Sequence, residues 1–249
     1  MYRRKFIKSN VITAATAGLI PIVPNYLFGV SSSKGEKSYK EYLRNSAVPK
    51  EVLEIFLNKD SWAQFDPEVG YILGNHMPHD GIDNSYTIST SKKEGKRTNR
   101  VYADRACRIN TYGNSFTQCH QVSDSETWQE YLAGHLGEPI QNFGMGGFGI
   151  YQAYRRLLRR EKVDKNSKYV ILYMWGNDYV RSVFRCRYAS YYKSWNDYGG
   201  KMFHGNFWCN IEMDLKSGKL VEKENRIRSK KEMYKMCDPE FMYDNLKDD

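Results

Sequence analysis

The sequence predicts an α/β fold with a parallel sheet, and three segments between residues 105 and 185 carry this prediction. Arg108–Tyr112 alternates and contains β-branched and aromatic residues, which is typical of a strand. Pro139–Asn142 forms a second short strand, and the apolar run Lys168–Met174 is typical of a buried parallel strand. Each segment ends in a polar or glycine-rich loop. In open α/β sheets, ligands bind at these carboxyl ends of the strands.

The amino terminus predicts export. Tyr2–Lys8 resembles the twin-arginine export motif, and no further charged residue occurs before Lys34. The stretch Val11–Pro24 is mostly small or apolar but too short for a spanning helix, which needs about 20 apolar residues. Residues 1–33 are therefore interpreted as a signal peptide of a periplasmic or extracellular protein without a stable membrane span. An uncleaved anchor is the alternative.

Residues 34–104 are expected to precede the α/β domain, which is assigned to residues 105–249. The segment from 34 to 58 has helical patterning in Tyr39–Leu43 and Glu51–Leu57. From residue 60 onward, turn signals and short alternating stretches predict an irregular, β-rich extension. With 249 residues and 41% hydrophobic content, the chain is long enough for one sizeable core.

Two helices are predicted between the three strands. Thr127–Leu136 is preceded by a capping box of Ser123 and Glu126. The second helix has an apolar stripe and a row of arginines that is expected to face solvent. The stripe consists of Ile150, Tyr154, Leu157 and Leu158. The arginines are Arg155, Arg156, Arg159 and Arg160.

The charge distribution argues against a nucleic-acid partner, and the cysteine spacing leaves the disulfide pairing open. The net charge of +9 falls to +5 once the four basic residues of the signal are removed, and the basic stretch Lys216–Lys235 is interleaved with glutamates. This pattern is typical of a solvated helix or hairpin, so no nucleic-acid partner is expected, while an acidic glycan or anionic cell surface stays open. The five cysteines show no CxxC spacing, and Cys107 with Cys119 is a candidate disulfide among several possible pairings.

The loops after the three strands contain the candidate functional residues. Ser115 follows the first strand in Tyr112–Thr117, a run that is also compatible with an ordinary turn. Asn142–Gly149 contains four glycines in six residues, so its backbone N–H groups can approach a phosphate or an oxyanion. It lacks the acidic residue that the dinucleotide fingerprint requires. The third loop is Gly176–Asp178.

In order and rough spacing, these loops resemble the motifs of the SGNH/GDSL hydrolases, in an exported bacterial branch, over residues 105–190. The resemblance implies a flavodoxin-like three-layer α/β/α fold. It assigns Ser115 as nucleophile, with the backbone N–H groups of Ser115 and Gly147 and the side-chain amide of Asn177 as oxyanion hole. Gly147 is preferred because it stands five residues after Asn142. Asn114 departs from the family's usual Asp and leaves the nucleophile in place.

The family takes its base from an Asp-x-x-His block near the carboxyl terminus, and none of the five histidines here has Asp three residues before it. We therefore expect the fold to be incomplete at the C-terminus, with acid and base beyond residue 249. His120 and His204 are substitute candidates, but ordinary polar positions are the preferred explanation for both. His76 and His79 form either a metal site or a polar turn, and no cofactor or metal is expected.

Residues 186–215 are rich in aromatic side chains, which occur both in sugar-binding clefts and in cores. Together with export and the serine, they lead us to expect a glycan or other small-molecule ester substrate. Two functional classes follow from the sequence. One is an exported serine ester hydrolase that forms an acyl-enzyme; the other is a non-catalytic exported ligand- or glycan-binding protein that lacks the base.

Overall fold

A computed structural model describes residues 33–59, 61–75, 85–163, 167–176, 178–186 and 205–248, with side chains from Tyr39 onward. The chain divides into two compact units, Met1–Ser38 and Tyr39–Asp249. The segment interpreted as a signal peptide, residues 1–33, lies outside the described residues except for the backbone of its last residue. No helix in the described ranges is long and apolar enough to cross a bilayer.

The described residues form seven α-helices and nine strands. The helices are α1 Ser33–Arg44, α2 Lys50–Asn58, α3 Ser115–Gln118, α4 Trp128–Leu136, α5 Ile150–Glu161, α6 Asp178–Val183 and α7 Pro239–Leu246. The strands are β1 Ala63–Asp66, β2 Gly70–Leu73, β3 Ser91–Lys92, β4 Lys96–Arg97, β5 Ile109–Tyr112, β6 Ile140–Asn142, β7 Tyr169–Leu172, β8 Asn210–Asp214 and β9 Lys219–Lys223.

A five-stranded mixed sheet organises the candidate site. Its strand order is β3-β4-β6-β5-β7, and β5 pairs in parallel with both β6 and β7. Thr111 of β5 lies opposite Asn142 on one side and Ile171 on the other, so the three strands end together. The α/β class and the three parallel strands are thus confirmed. The short antiparallel strands β3 and β4, from the predicted β-rich extension, continue this sheet beyond β6.

The prediction that the third strand is buried is wrong. Tyr169, Val170 and Ile171 of β7 are 57%, 43% and 40% exposed. Among the described strands, β7 pairs only with β5 and ends the sheet, so its outer edge lacks the cover that a central parallel strand receives. An apolar run does not reveal whether a strand lies in the middle or at the end of a sheet.

The predicted orientation of α5 is also wrong. Its buried residues are Tyr151, Gln152, Ala153 and Arg156, whereas Tyr154 of the predicted apolar stripe is exposed. The arginines contact protein rather than solvent alone. Arg155 pairs with Glu68 at 2.6 Å and Arg159 pairs with Asp66 at 2.7 Å, which joins α5 to the turn between β1 and β2. Acidic residues in that turn therefore hold these arginines against the protein, although both keep some exposure to solvent.

The larger hydrophobic core lies beside the sheet rather than within it. Leu53 of α2, Tyr71 of β2, Tyr151 of α5 and Met242 of α7 belong to one buried cluster. Phe207 and Trp208, the described part of the aromatic-rich segment, are buried in it as well, so they do not line a cleft. A second cluster between the sheet and α4 contains Ile109, Ala133 and Ile140.

Three further sequence interpretations are resolved. The basic stretch Lys216–Lys235 begins in an antiparallel hairpin, because β8 and β9 pair along their full length and β9 is exposed. The capping box of Ser123 and Glu126 is present but caps a 3₁₀ turn, while Thr127 caps α4. In the described part of the chain, which includes all five cysteines, no disulfide forms, so Cys107 and Cys119 are not joined.

Candidate functional site

Ser115 occupies the first position of α3, directly after the loop that follows β5. Asn114 precedes the helix in an extended conformation, and its Oδ1 accepts a hydrogen bond from the Phe116 N–H at 2.9 Å. Gly113 is required because a Cβ there would lie 2.3 Å from Thr117 Oγ1 and 3.0 Å from the Cβ of Tyr173. The turn therefore holds a half-buried serine at the carboxyl end of a central strand.

The glycine loop after β6 packs directly against α3. A Cβ on Gly144 would lie 2.2 Å from the Gln118 nitrogen, and one on Gly146 would lie 2.5 Å from Cη2 of Trp62. Asn142 fixes the start of the loop by donating from Nδ2 to the Thr117 carbonyl at 2.8 Å. Small residues are therefore needed so that this loop can contact the helix that begins with Ser115.

Within the described residues, Gly147 is the one position of this loop whose backbone N–H makes no hydrogen bond. Gly147 is buried, with φ at +80°. Buried backbone N–H groups are nearly always paired with protein or water, so this one is free to donate to a water or to a ligand oxygen. The neighbouring N–H groups are engaged as follows: Gly144 with Asn142 Oδ1, Met145 with the Gly113 carbonyl, Gly146 with Gln118 Oε1, Phe148 with the Met145 carbonyl, and Gly149 with Gln152 Oε1.

The turn after β7 is tied to the serine turn by a buried polar contact. Asn114 donates from Nδ2 to Oδ2 of Asp178 at 2.5 Å, and Arg181 pairs with the other carboxylate oxygen at 3.0 Å. Burial raises the pKa of the Asp178 carboxyl, against the opposing effects of Arg181 and Asn114. Asn177 itself lies outside the described residues, whereas Asp178 after it contacts Asn114 directly.

Two buried arginines, which the sequence patterns did not reveal, hydrogen-bond to backbone carbonyls next to α3 and in the glycine loop. Arg97 is 1% exposed and donates to the carbonyls of Gln118 at 2.5 Å and Cys119 at 2.7 Å, just after α3. Arg156 donates to the Phe143 carbonyl at 2.7 Å, at the start of the glycine loop. Burial lowers the pKa of Arg156 to about 10, so it keeps its charge at neutral pH. No sequence pattern indicated Arg97, and Arg156 was counted among the arginines of α5 that were expected to face solvent.

No described histidine is seen to hydrogen-bond with Ser115. The Ser115 hydroxyl makes no hydrogen bond to any described residue. His120 is half-buried, and its carbonyl accepts a hydrogen bond from Thr87 Oγ1 at 3.4 Å, whereas His135 is exposed in the last turn of α4. His76, His79 and His204 lie outside the described residues. In the described ranges, no three His, Cys, Asp or Glu side chains gather as they would around a metal ion.

The structure thus packs the glycine loop against the helix that begins with Ser115, and it links the turn before that helix to Asp178. This arrangement offers a hydroxyl and an unpaired buried N–H from two adjacent loops. Comparison of the chain with family models, with curated proteins and with solved structures finds no match.

Proposed function

We propose that this chain is an exported serine ester hydrolase that acts through an acyl-enzyme on a small-molecule or glycan ester. The observation that carries the proposal is the unpaired, buried N–H of Gly147 in a loop packed against the helix that begins with Ser115. The proposal includes the flavodoxin-like three-layer fold of the SGNH hydrolases. The parallel order β6-β5-β7, with all three loops at one edge, supports it.

The proposed reaction uses these groups in two steps. Ser115 Oγ bonds to the ester carbonyl carbon, the serine proton passes to a base, and the carbonyl oxygen becomes an oxyanion. The N–H groups of Ser115 and Gly147 and the amide of Asn177 donate to that oxyanion, and one preset donor contributes about 3–4 kcal/mol. The intermediate then expels the alcohol, which takes the proton. In the second step, water bonds to the acyl carbonyl carbon and gives a proton to the base. The bond to Ser115 Oγ then breaks, Oγ takes the proton back, and the acid is released.

The base is the part of this mechanism that needs a further residue. A serine hydroxyl is a weak nucleophile until a neighbouring group accepts its proton. The 249 residues contain no Asp-x-x-His sequence. We therefore expect this chain to hydrolyse an activated aryl ester slowly.

The second candidate function is an exported protein that binds a ligand or glycan at this site without cleaving it. The observation that favours it is the Ser115 hydroxyl, which hydrogen-bonds to no described residue. A binding protein needs the loops and their N–H groups but not an activated nucleophile. Fold resemblance alone does not separate a hydrolase from a binding protein, because function depends on the site.

Covalent labelling separates the two functions. We expect a fluorophosphonate probe to modify Ser115, as located by mass spectrometry of peptides, because the oxyanion donors also stabilise a phosphonyl adduct. Ser115→Ala should abolish this label and lower aryl ester turnover, where measurable, on the order of 10³-fold. The matched control is Ser217→Ala, in the β8–β9 turn, where the hydroxyl donates to Asp214. Label that persists in Ser115→Ala would refute the nucleophile assignment, and an unlabelled protein that binds an ester would favour the binding function.

A further inference from the structure

A group of aromatic rings lies directly beside Ser115. The Phe116 ring centroid is 5.9 Å from that of Tyr173 and 5.7 Å from that of Trp175. The ring planes are tilted by 41° and 55°, so neither pair stacks face to face. We call these three residues the aromatic cradle. Trp128 holds its base, because its indole N–H donates to the Phe116 carbonyl at 3.3 Å.

The cradle is open to solvent, although its side chains are among the most apolar. Phe116 and Trp175 are 57% and 56% exposed, and Met174 between the two cradle residues of the third loop is exposed as well. Contiguous exposed apolar groups on a folded protein commonly mark a ligand site. None of the residues from Tyr173 to Trp175 is charged, and neither is Phe116. The cradle therefore fits an uncharged, apolar group.

The position of the cradle ties that group to the candidate nucleophile. Phe116 follows Ser115 directly, and consecutive Cα atoms are about 3.8 Å apart. Tyr173 and Trp175 belong to the turn that Asp178 links to Asn114. A group attached to an ester carbonyl at Ser115 is therefore within reach of the rings. The buried residues Phe207 and Trp208 offer no such surface.

We propose that the aromatic cradle is a substrate subsite that binds a flat apolar face next to the scissile ester bond. The proposal rests on the proposed function for its reaction but not for its binding. A flat apolar face comes either from an aryl ring or from the C–H face of a pyranose, and both stack on aromatic side chains. The proposal predicts that esters without a ring are poorer substrates, and that Phe116 and Trp175 determine this preference.

The kinetic test compares phenyl acetate, a peracetylated methyl xyloside and ethyl acetate. Trp175→Ala and Phe116→Ala should each lower kcat/KM about two- to tenfold for the ester that bears the preferred ring, the range of one aromatic contact. Ethyl acetate should be unaffected, and Trp175→Phe should retain most of the preference. Tyr234→Ala, which removes an exposed ring from the Glu232–Cys237 turn, is the matched control. Equal losses for all three esters, or none, would overturn the proposal.

A binding measurement separates this proposal from the hydrolase itself. In Ser115→Ala, phenyl acetate or the xyloside should quench tryptophan fluorescence at saturation, and Trp175→Phe should remove the Trp175 contribution. Saturable quenching in a chain that neither hydrolyses nor labels would keep the subsite and refute the esterase. Which of the two compounds binds identifies the source of the flat face. If neither quenches Trp175, the subsite does not exist, whatever the activity.

Discussion

At the scale of single residues, Asn114 joins the turn that precedes α3 to the turn that follows β7. Its Nδ2 donates to the Asp178 carboxylate while its Oδ1 accepts the Phe116 N–H. We expect Asn114→Asp to place two carboxyl groups in contact inside the protein. The substitution should lower the free energy of unfolding by about 1–3 kcal/mol at pH 7, as measured by urea denaturation.

The loss of stability in Asn114→Asp should depend on pH. In Asn114→Asp, the two carboxyl groups favour sharing one proton, so the pKa of the pair rises above the value of about 4 in the unfolded chain. The folded state then binds more protons than the unfolded state, and the variant loses stability as pH rises through the raised pKa. Its deficit against the wild type should shrink between pH 7 and pH 5. Asn114→Asp/Asp178→Asn restores one amide–carboxylate pair, and failure of this double variant to recover stability would contradict the explanation.

At the scale of elements, the glycine loop combines a backbone requirement with a functional one. Gly147 has φ at +80°, and Gly218 in the β8–β9 turn has φ at +68°. Alanine at either position should cost about 1 kcal/mol of stability, because L-residues disfavour this conformation. Of these two variants, we expect only Gly147→Ala to slow fluorophosphonate labelling of Ser115, since the strained backbone displaces the unpaired N–H. Equal labelling rates in the two glycine variants would show that Gly147 donates nothing to the adduct.

Elements are also where sequence reasoning succeeded and failed. Strands β5 and β6 follow from local alternation and helix α4 from its helical pattern, which short segments encode, whereas the predicted capping box precedes α4 and caps a 3₁₀ turn. The exposure of β7 depends on which strands lie beside it, and the inward arginines of α5 depend on Asp66 and Glu68, far away in the chain. The same limit applies at the site. Ser115 and the glycine loop were predicted as site residues from local motifs, whereas the aromatic cradle depends on the contact between α3 and the turn after β7.

At the scale of the whole molecule, the main core supports the site from outside the sheet. Trp62, in the large hydrophobic cluster with Leu53 and Met242, lies against the position of Gly146. Tyr71 of the same cluster donates its hydroxyl to the Gly146 carbonyl at 3.1 Å. The helical segment around α2, which was expected only to precede the α/β domain, therefore stabilises the cluster that contacts the glycine loop.

This arrangement predicts that a change in α2 destabilises the whole unit from Tyr39 onward. Leu53 is fully buried in the main cluster, while Ile55 on the same helix is 39% exposed. Leu53→Ala should lower the free energy of unfolding by about 2–5 kcal/mol, as expected for a cavity in a packed core, and Ile55→Ala by less than about 1 kcal/mol. Fluorescence and circular dichroism should report one shared transition, because the core reaches from α2 to α7 and to the glycine loop. Separate transitions in Leu53→Ala would show instead that the sheet with Ser115 folds independently of this core.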